Sequence, residues 1–136
     1  MATRSHIGLK NLDDTVSYIY CHHDGYPSYN GRILIENYTT VDKVKELLAL
    51  GDISSLGENI GSKHNWNNPP EGECNAYHRD RGERLVTGKN QQFQDLIGDD
   101  NVDYAYIFDG DYWECYRTYN GELIDIYEKF SNSQVD

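Results

Sequence analysis

The pattern of apolar and polar positions divides the chain into β-like ends and a helical middle. At the N-terminal end, His6–Asn11 and Thr15–Cys21 are short runs with β-branched and aromatic residues, split by the turn-forming pair Asp13-Asp14. Such runs suit a pleated, half-buried surface, and their spacing predicts an antiparallel hairpin. The C-terminal end carries three further runs, Val102–Asp109, Tyr112–Thr118 and Glu122–Glu128. Gly110-Asp111 separates the first two and Tyr119-Asn120-Gly121 the next two. A meander is expected, because Asn-Gly tolerates the positive φ that tight hairpins need. Period-two alternation puts Tyr104, Tyr106 and Phe108 on one face and Asp103, Ala105, Ile107 and Asp109 on the other.

The middle reads differently. Val41–Leu50 places Val44, Leu47 and Leu48 on one helical stripe, with Thr39 and Thr40 in front as caps and Gly51 behind as a left-handed stop. Arg32–Tyr38 predicts a shorter helix with Asn30 as its cap, and Val86–Ile97 a third helix that Gly88 weakens. Residues 61–83 are polar, and Trp66, Cys74 and Tyr77 anchor them as an ordered loop over the core. Together these elements predict one α+β domain spanning residues 1–136. Its core is a single antiparallel sheet of about five strands, the N-terminal hairpin plus the C-terminal meander, with two or three helices on one face.

Charge narrows the function. The formal net charge is −11, and residues 95–136 hold eleven acidic side chains against Arg117 and Lys129. A general nucleic-acid binder would show a basic stripe instead, so direct nucleic-acid binding is not expected. No run approaches the ~18 apolar residues of a membrane span, and Met1–His6 lacks the apolar core of a signal peptide. Three cysteines, Cys21, Cys74 and Cys115, form no disulfide framework and fit reduced thiols in a cytoplasmic setting.

Two polar runs carry the candidate chemistry. The first is Cys21-His22-His23-Asp24, where a strand gives way to a loop; the second is His78-Arg79-Asp80-Arg81-Gly82-Glu83. Arg79 and Arg81 offer forked donors for a phosphate or carboxylate, and His22, His23 or His78 an acid or base. The bland alternative is an internal ion-pair network in which Asp80 and Glu83 neutralise the two arginines. Cys21 and Cys74 with two of His22, His23, His64 and His78 are chemically suitable zinc ligands. Their spacing matches no familiar ribbon or finger, so no metal site is assigned. A Cys–His nucleophilic pair lacks a supporting local signature. There is no phosphate-cradling glycine loop, nucleophile elbow or His-Glu-x-x-His pair, and no cofactor is called for. Both runs hold groups that are expensive to bury singly, so they are expected to approach each other and share His22, His23, Asp24, His78, Arg79, Arg81 and Glu83 as a ligand site.

Three stretches, Tyr20–Pro27, Leu50–Glu58 and Tyr77–Glu83, together with the aromatic text of Tyr104–Tyr116, resemble a group of small uncharacterised proteins encoded by bacteriophages. The resemblance implies a phage accessory protein acting in the host bacterial cytoplasm, and it transfers no catalytic role. The first functional expectation is therefore a binder that modulates or inhibits a host protein, possibly a defence protein. Asp109, Asp111 and Glu114 on an acidic, tyrosine-rich face would meet a basic partner that normally handles nucleic acid. The alternative is a small anionic-ligand or nucleotide-binding module, or a small hydrolase, built on the two polar runs. An enzyme is the less favoured reading, since no nucleophile–base pair is recognisable.

Overall fold

The computed structural model describes residues 2–128. Five of its strands follow the sequence pattern. β1 (Ser5–Lys10) and β2 (Val16–Cys21) form the antiparallel hairpin, with Ile7 opposite Ile19. Near the other end, β6 (Tyr104–Phe108), β7 (Trp113–Arg117) and β8 (Glu122–Ile124) form the antiparallel meander. Between them lie β3 (Ile53–Ser55), β4 (Asn75–Ala76) and β5 (Gly88–Gln91). All eight join one sheet in the order β4-β3-β2-β1-β6-β7-β8, with β5 also paired to β2.

The fold is α+β, and its sheet is mixed where an antiparallel one of about five strands was expected. β1 runs parallel to β6 over Ser5–Leu9, and β2 runs parallel to β3 at Cys21. Hairpin and meander therefore meet side by side at the centre of the sheet. The three additional strands are two to four residues long, too short to show a period in the sequence.

Both faces of that centre are covered, which corrects the expectation of helices on one face. Ile7, Ile19, Tyr106, Phe108 and Trp113 pack into the larger core with Leu34 of α1 (Arg32–Asn37) and with Val44 and Leu47 of α2 (Val41–Ala49). On the opposite face Val16, Ala105, Ile107 and Tyr116 pack against Leu96 and Ile97 of α4 (Phe93–Ile97). Asp103 and Asp109 share the parity of Ala105 and Ile107, yet they sit at the strand ends, where both stay exposed.

Local chemistry explains the helix ends. Thr40 Oγ1 accepts the Lys43 N–H at 3.2 Å, capping α2, and Gly51 follows with φ of 74°. Asn30 does not cap α1. It lies in a π-helical turn, Pro27–Gly31, and its amide donates to Ser5 Oγ at 3.3 Å and Cys21 Sγ at 3.4 Å, tying the turn to both strands of the hairpin. The predicted helix Val86–Ile97 splits into β5 and α4 because Gly88 serves close approach. A Cβ there would stand 2.2 Å from the Tyr18 ring, so only glycine lets β5 reach β2.

His6 marks the edge of the second core. Its ring lies 4.8 Å from that of Tyr18, its Nδ1 is buried without a hydrogen bond, and the Asp99 carboxylate is 4.0 Å away. Burial pushes its pKa below 6.5, and Asp99 opposes this only in part. The folded chain thus binds this proton less readily than the unfolded one, and stability should rise with pH in the window just below 6.5. Urea midpoints at pH 5.5 and 7.5 should show this loss on acidification, and His6→Phe should flatten it. An unchanged pH slope in the variant would assign the effect elsewhere.

Candidate functional site

The outer edge of β2 is shared between two strands, and the division creates a notch. Val16 and Tyr18 pair with β5, while Cys21 pairs with β3. At Tyr20, between them, the chain has no strand partner on that side. Asp52 fills the gap: its Oδ1 accepts the Tyr20 N–H at 3.0 Å. The notch opens into a cleft of about 210 Å³ lined by Tyr20, Asp52, Tyr77, His78, Glu83 and Arg84, with Val86 at one side. It lies on the second sheet face, beyond the reach of α4, since Tyr20 and Asp52 have the opposite parity to the core residues Cys21 and Ile53.

The groups in this cleft have defined roles. His78 Nδ1 lies 2.7 Å from the Glu83 carbonyl oxygen, which can only accept, so Nδ1 carries a proton and Nε2 is the ring nitrogen left without that bond. Burial raises the pKa of Asp52, and the single N–H bond from Tyr20 offsets this only partly. Tyr20 places its hydroxyl 2.7 Å from His22 Nδ1, and burial first of all raises its pKa, so it stays a neutral phenol. A chain of rings, His6–Tyr18, Tyr20–His22 and His22–His23, continues along the same face.

The two polar runs reach this region through Tyr20, which touches His22 with its hydroxyl and shares the cleft with His78 and Glu83. Among the described residues no hydrogen bond or ion pair joins the runs directly. Asp24 complements neither arginine; it adopts φ of 58° in the turn after β2, where its carboxylate accepts from the Tyr26 hydroxyl. His23 is exposed, and its N–H continues the pairing with β3 through the Ser54 carbonyl.

Arg79 is an internal strut and not an anion receptor. Its Nε and Nη2 donate to Asp80 at 2.9 and 3.0 Å, and its Nη1 and Nη2 to the carbonyls of Ile60 and Cys74, both at 2.8 Å. Four of its five donors are thereby used. Asp80, on α3 (Tyr77–Arg81), also accepts the N–H groups of Ala76 at 2.8 Å and His64 at 3.2 Å. Burial would raise its pKa, but Arg79 and these N–H donors outweigh that and hold it below the usual carboxylate value. Arg81 pairs with Glu83 and stacks over Trp66, with its guanidinium carbon 4.3 Å from the ring centroid. Arg79 is thus held in an internal ion pair, and Arg81 in an exposed one.

Cys21 and Cys74 lie in the core, away from solvent. Cys21 is fully buried and its pKa is pushed up to about 12 by burial, so it remains a thiol. Cys74 is likewise buried and raised, beside the Tyr38 hydroxyl and the Gly57 N–H. Among the described residues no three His, Cys, Asp or Glu side chains gather to hold a metal ion.

Asp109, Asp111 and Glu114 lie in and beside the β6–β7 turn, with Asp109 and Asp111 exposed. Asp109 Oδ1 accepts the N–H groups of Asp111 and Tyr112, both at 2.8 Å, inside the β6–β7 turn. Glu114 lies half-buried on β7, opposite Ile107 and beside Tyr116. Sequence reasoning does not single out Tyr20, Asp52, Tyr77 or Arg84. The first three lie within the stretches that carry the phage resemblance, which is the one signal pointing to them. No protein-family model, curated protein or solved structure matches this chain.

Removing one partner of a buried ion pair leaves the other charge uncompensated, at roughly 3–5 kcal/mol. Asp80→Ala should therefore lower the free energy of unfolding by about that amount in urea titrations. A loss below about 1 kcal/mol, the range of exposed pairs, would show that Arg79 and Asp80 are not the strut described.

Proposed function

We propose that the chain is a small-ligand module of the nucleotide-binding kind, and that the Tyr20–Asp52–Tyr77–His78 cleft takes a purine with donors on its edge, as guanine has. The observation that carries the reading is Asp52. Among the described residues its carboxylate accepts one N–H, from Tyr20, which leaves most of its acceptor capacity turned to a cleft flanked by two tyrosine rings. His78, whose Nδ1 is tied to the Glu83 carbonyl, adds a second polar group at the cleft wall. Such a site asks for a planar ligand that donates, and guanine's N1–H and amino group can meet one carboxylate in a forked pair. The volume, below the ~300 Å³ of typical drug-sized sites, suits a single ring system with the rest of the ligand outside. The phage resemblance supports the same place, since all three stretches contribute to this one cleft. On that footing the module belongs to a phage accessory protein that captures a host nucleotide.

Guanosine should bind in calorimetric titration and adenosine should not compete, because adenine places an acceptor where Asp52 needs a donor. Asp52→Asn should weaken guanosine at least tenfold, about 1.4 kcal/mol. Equal binding of the two nucleosides, or an unaffected variant, would remove the cleft from consideration.

A second reading rests on different residues. Tyr112 and Tyr119 are 64% and 78% exposed at the turns of the acidic meander, near Asp111 and Glu122. Exposed rings beside carboxylates favour a basic protein partner of the host, steered by charge. Asp111→Lys with Tyr112→Ala should abolish capture of such a partner from host lysate in low salt. If the double variant captures the same protein, this edge has no binding role.

A further inference from the structure

The same sheet face continues past the cleft to an arginine that the fold leaves unused. Arg4 precedes β1, and the hairpin register sets it opposite His22. Its guanidinium has no hydrogen bond or ion pair among the described residues. It lies near enough to Tyr20 and His22 to act on the titration of both. His22 is held from the other side by the Tyr20 hydroxyl at Nδ1. With that hydroxyl donating, the ring proton resides on Nε2; as an imidazolium the ring carries it there too. Arg4 and His22 thus present N–H donors to one groove of about 380 Å³, which Asp100, Asn101 and Asp103 complete.

The carboxylates of that groove do not neutralise Arg4. Asp103 Oδ2 accepts the backbone N–H of Arg4 at 3.0 Å, which commits it to holding the strand start. Asp100 is exposed and forms no ion pair with the arginine. Burial first, then His23 and Arg4, push the His22 pKa down, and an anion seated beside Arg4 would act in the opposite direction.

We propose that Arg4 and His22 form a phosphate subsite, so that the ligand of the cleft is a nucleoside 5′-phosphate and not a free nucleoside or base. The inference rests on the cleft reading above and extends it. From Asp52 beside Tyr20 to Arg4 opposite His22 the row takes two inter-strand steps of about 4.8 Å each and two residues along β2, about 6.6 Å, or roughly 12 Å in all. That span holds a ring at one end and a phosphate at the other, with the Tyr20 side chain beneath the sugar between them. A forked guanidinium and an imidazole N–H suit the tetrahedral oxygens of a phosphate monoester.

The intact protein is titrated calorimetrically with guanosine, with guanosine 5′-monophosphate and with inorganic phosphate. The monophosphate should bind at least tenfold more tightly than guanosine. Arg4→Gln should erase that advantage and leave guanosine binding as it was, since Arg4 does not line the cleft. His22→Gln, read beside it with circular dichroism to confirm folding, should also lose the advantage. Equal affinity for nucleoside and monophosphate, or an advantage that survives Arg4→Gln, overturns the subsite while the cleft reading stands. If guanosine fails to bind but the monophosphate and phosphate bind and both depend on Arg4, the subsite is upheld and the cleft reading falls. Binding of none of the three overturns both.

Discussion

The parallel register of β1 with β6 is the constraint from which the other features follow. Parallel neighbours cannot be joined by a tight turn, so the chain between them must cross over. Here that crossover carries β2 to β5 and the four named helices. It also makes β6 a central strand, with β1 on one side and β7 on the other. A central strand of this kind is buried on both faces, and Tyr106 and Phe108 on one side and Ala105 and Ile107 on the other meet separate cores. The cover is unequal, however. α1 and α2 shield one face, while α4 spans only five residues and shields the other over β6, β7 and the start of β2. The remainder of that second face, from Arg4 through Tyr20 to Tyr77, is left polar and open.

What distinguishes this open area from ordinary wet surface is the way the edge of β2 is completed. A strand N–H inside a sheet needs a partner, and Tyr20 falls where β5 has ended and β3 has not begun. The Asp52 carboxylate supplies the missing acceptor. The fold thus fixes a carboxylate at the bottom of a notch and binds only part of it. An asparagine there could still accept the Tyr20 N–H through its amide oxygen, so the charge is not what the sheet requires. The charge is free to serve something else.

Much of this was legible in the sequence where the partners are close along the chain. The hairpin, the meander and α2 each announce themselves by period and by turn or cap residues; the hairpin, β7 and α2 keep within a residue of the expected ends, whereas β6 starts two residues late and β8 stops at Ile124, four residues short of Glu128. The short strands were not legible, because two to four residues carry no period and their pairing is set by distant text. Gly88 shows how this misleads: in isolation it weakens a helix, whereas its actual use is to let β5 pass the Tyr18 ring. The double cover of β6 was hidden for a related reason. Alternation assigns Ala105 and Ile107 to a face with Asp103 and Asp109, and only the lengths of the paired strands show that the acids fall outside it. At the site, His22, His78 and Glu83 were visible as chemistry, and Tyr20 and Asp52 were not, since their importance is positional. Arg79 was visible but misassigned, because the two carbonyls that occupy it, Ile60 and Cys74, are unrelated to its local sequence.

The overall charge sets a further condition on how such a site can operate. A chain at −11 repels an anionic ligand at long range, and this repulsion slows the encounter. At physiological ionic strength screening acts over about 8 Å, so carboxylates on the far meander contribute little once the ligand is seated. For the proposed ligand the affinity would then rest on the local set: Arg4 and His22 in the groove, and Arg84 and Asp52 in the cleft. Of the acidic groups nearest this row, Asp103 and Asp52 accept backbone N–H groups and Glu83 pairs with an arginine, while Asp100 is exposed at the edge of the groove. Local donors can offset the global field to the extent that the nearby carboxylates, Asp103 and Glu83, are already bound. Raised salt should matter in opposite senses at the two stages, easing the approach of an anion while weakening its contact with the arginine. A ligand held mainly by the Asp52 end would feel neither effect strongly, and its affinity would be nearly independent of salt.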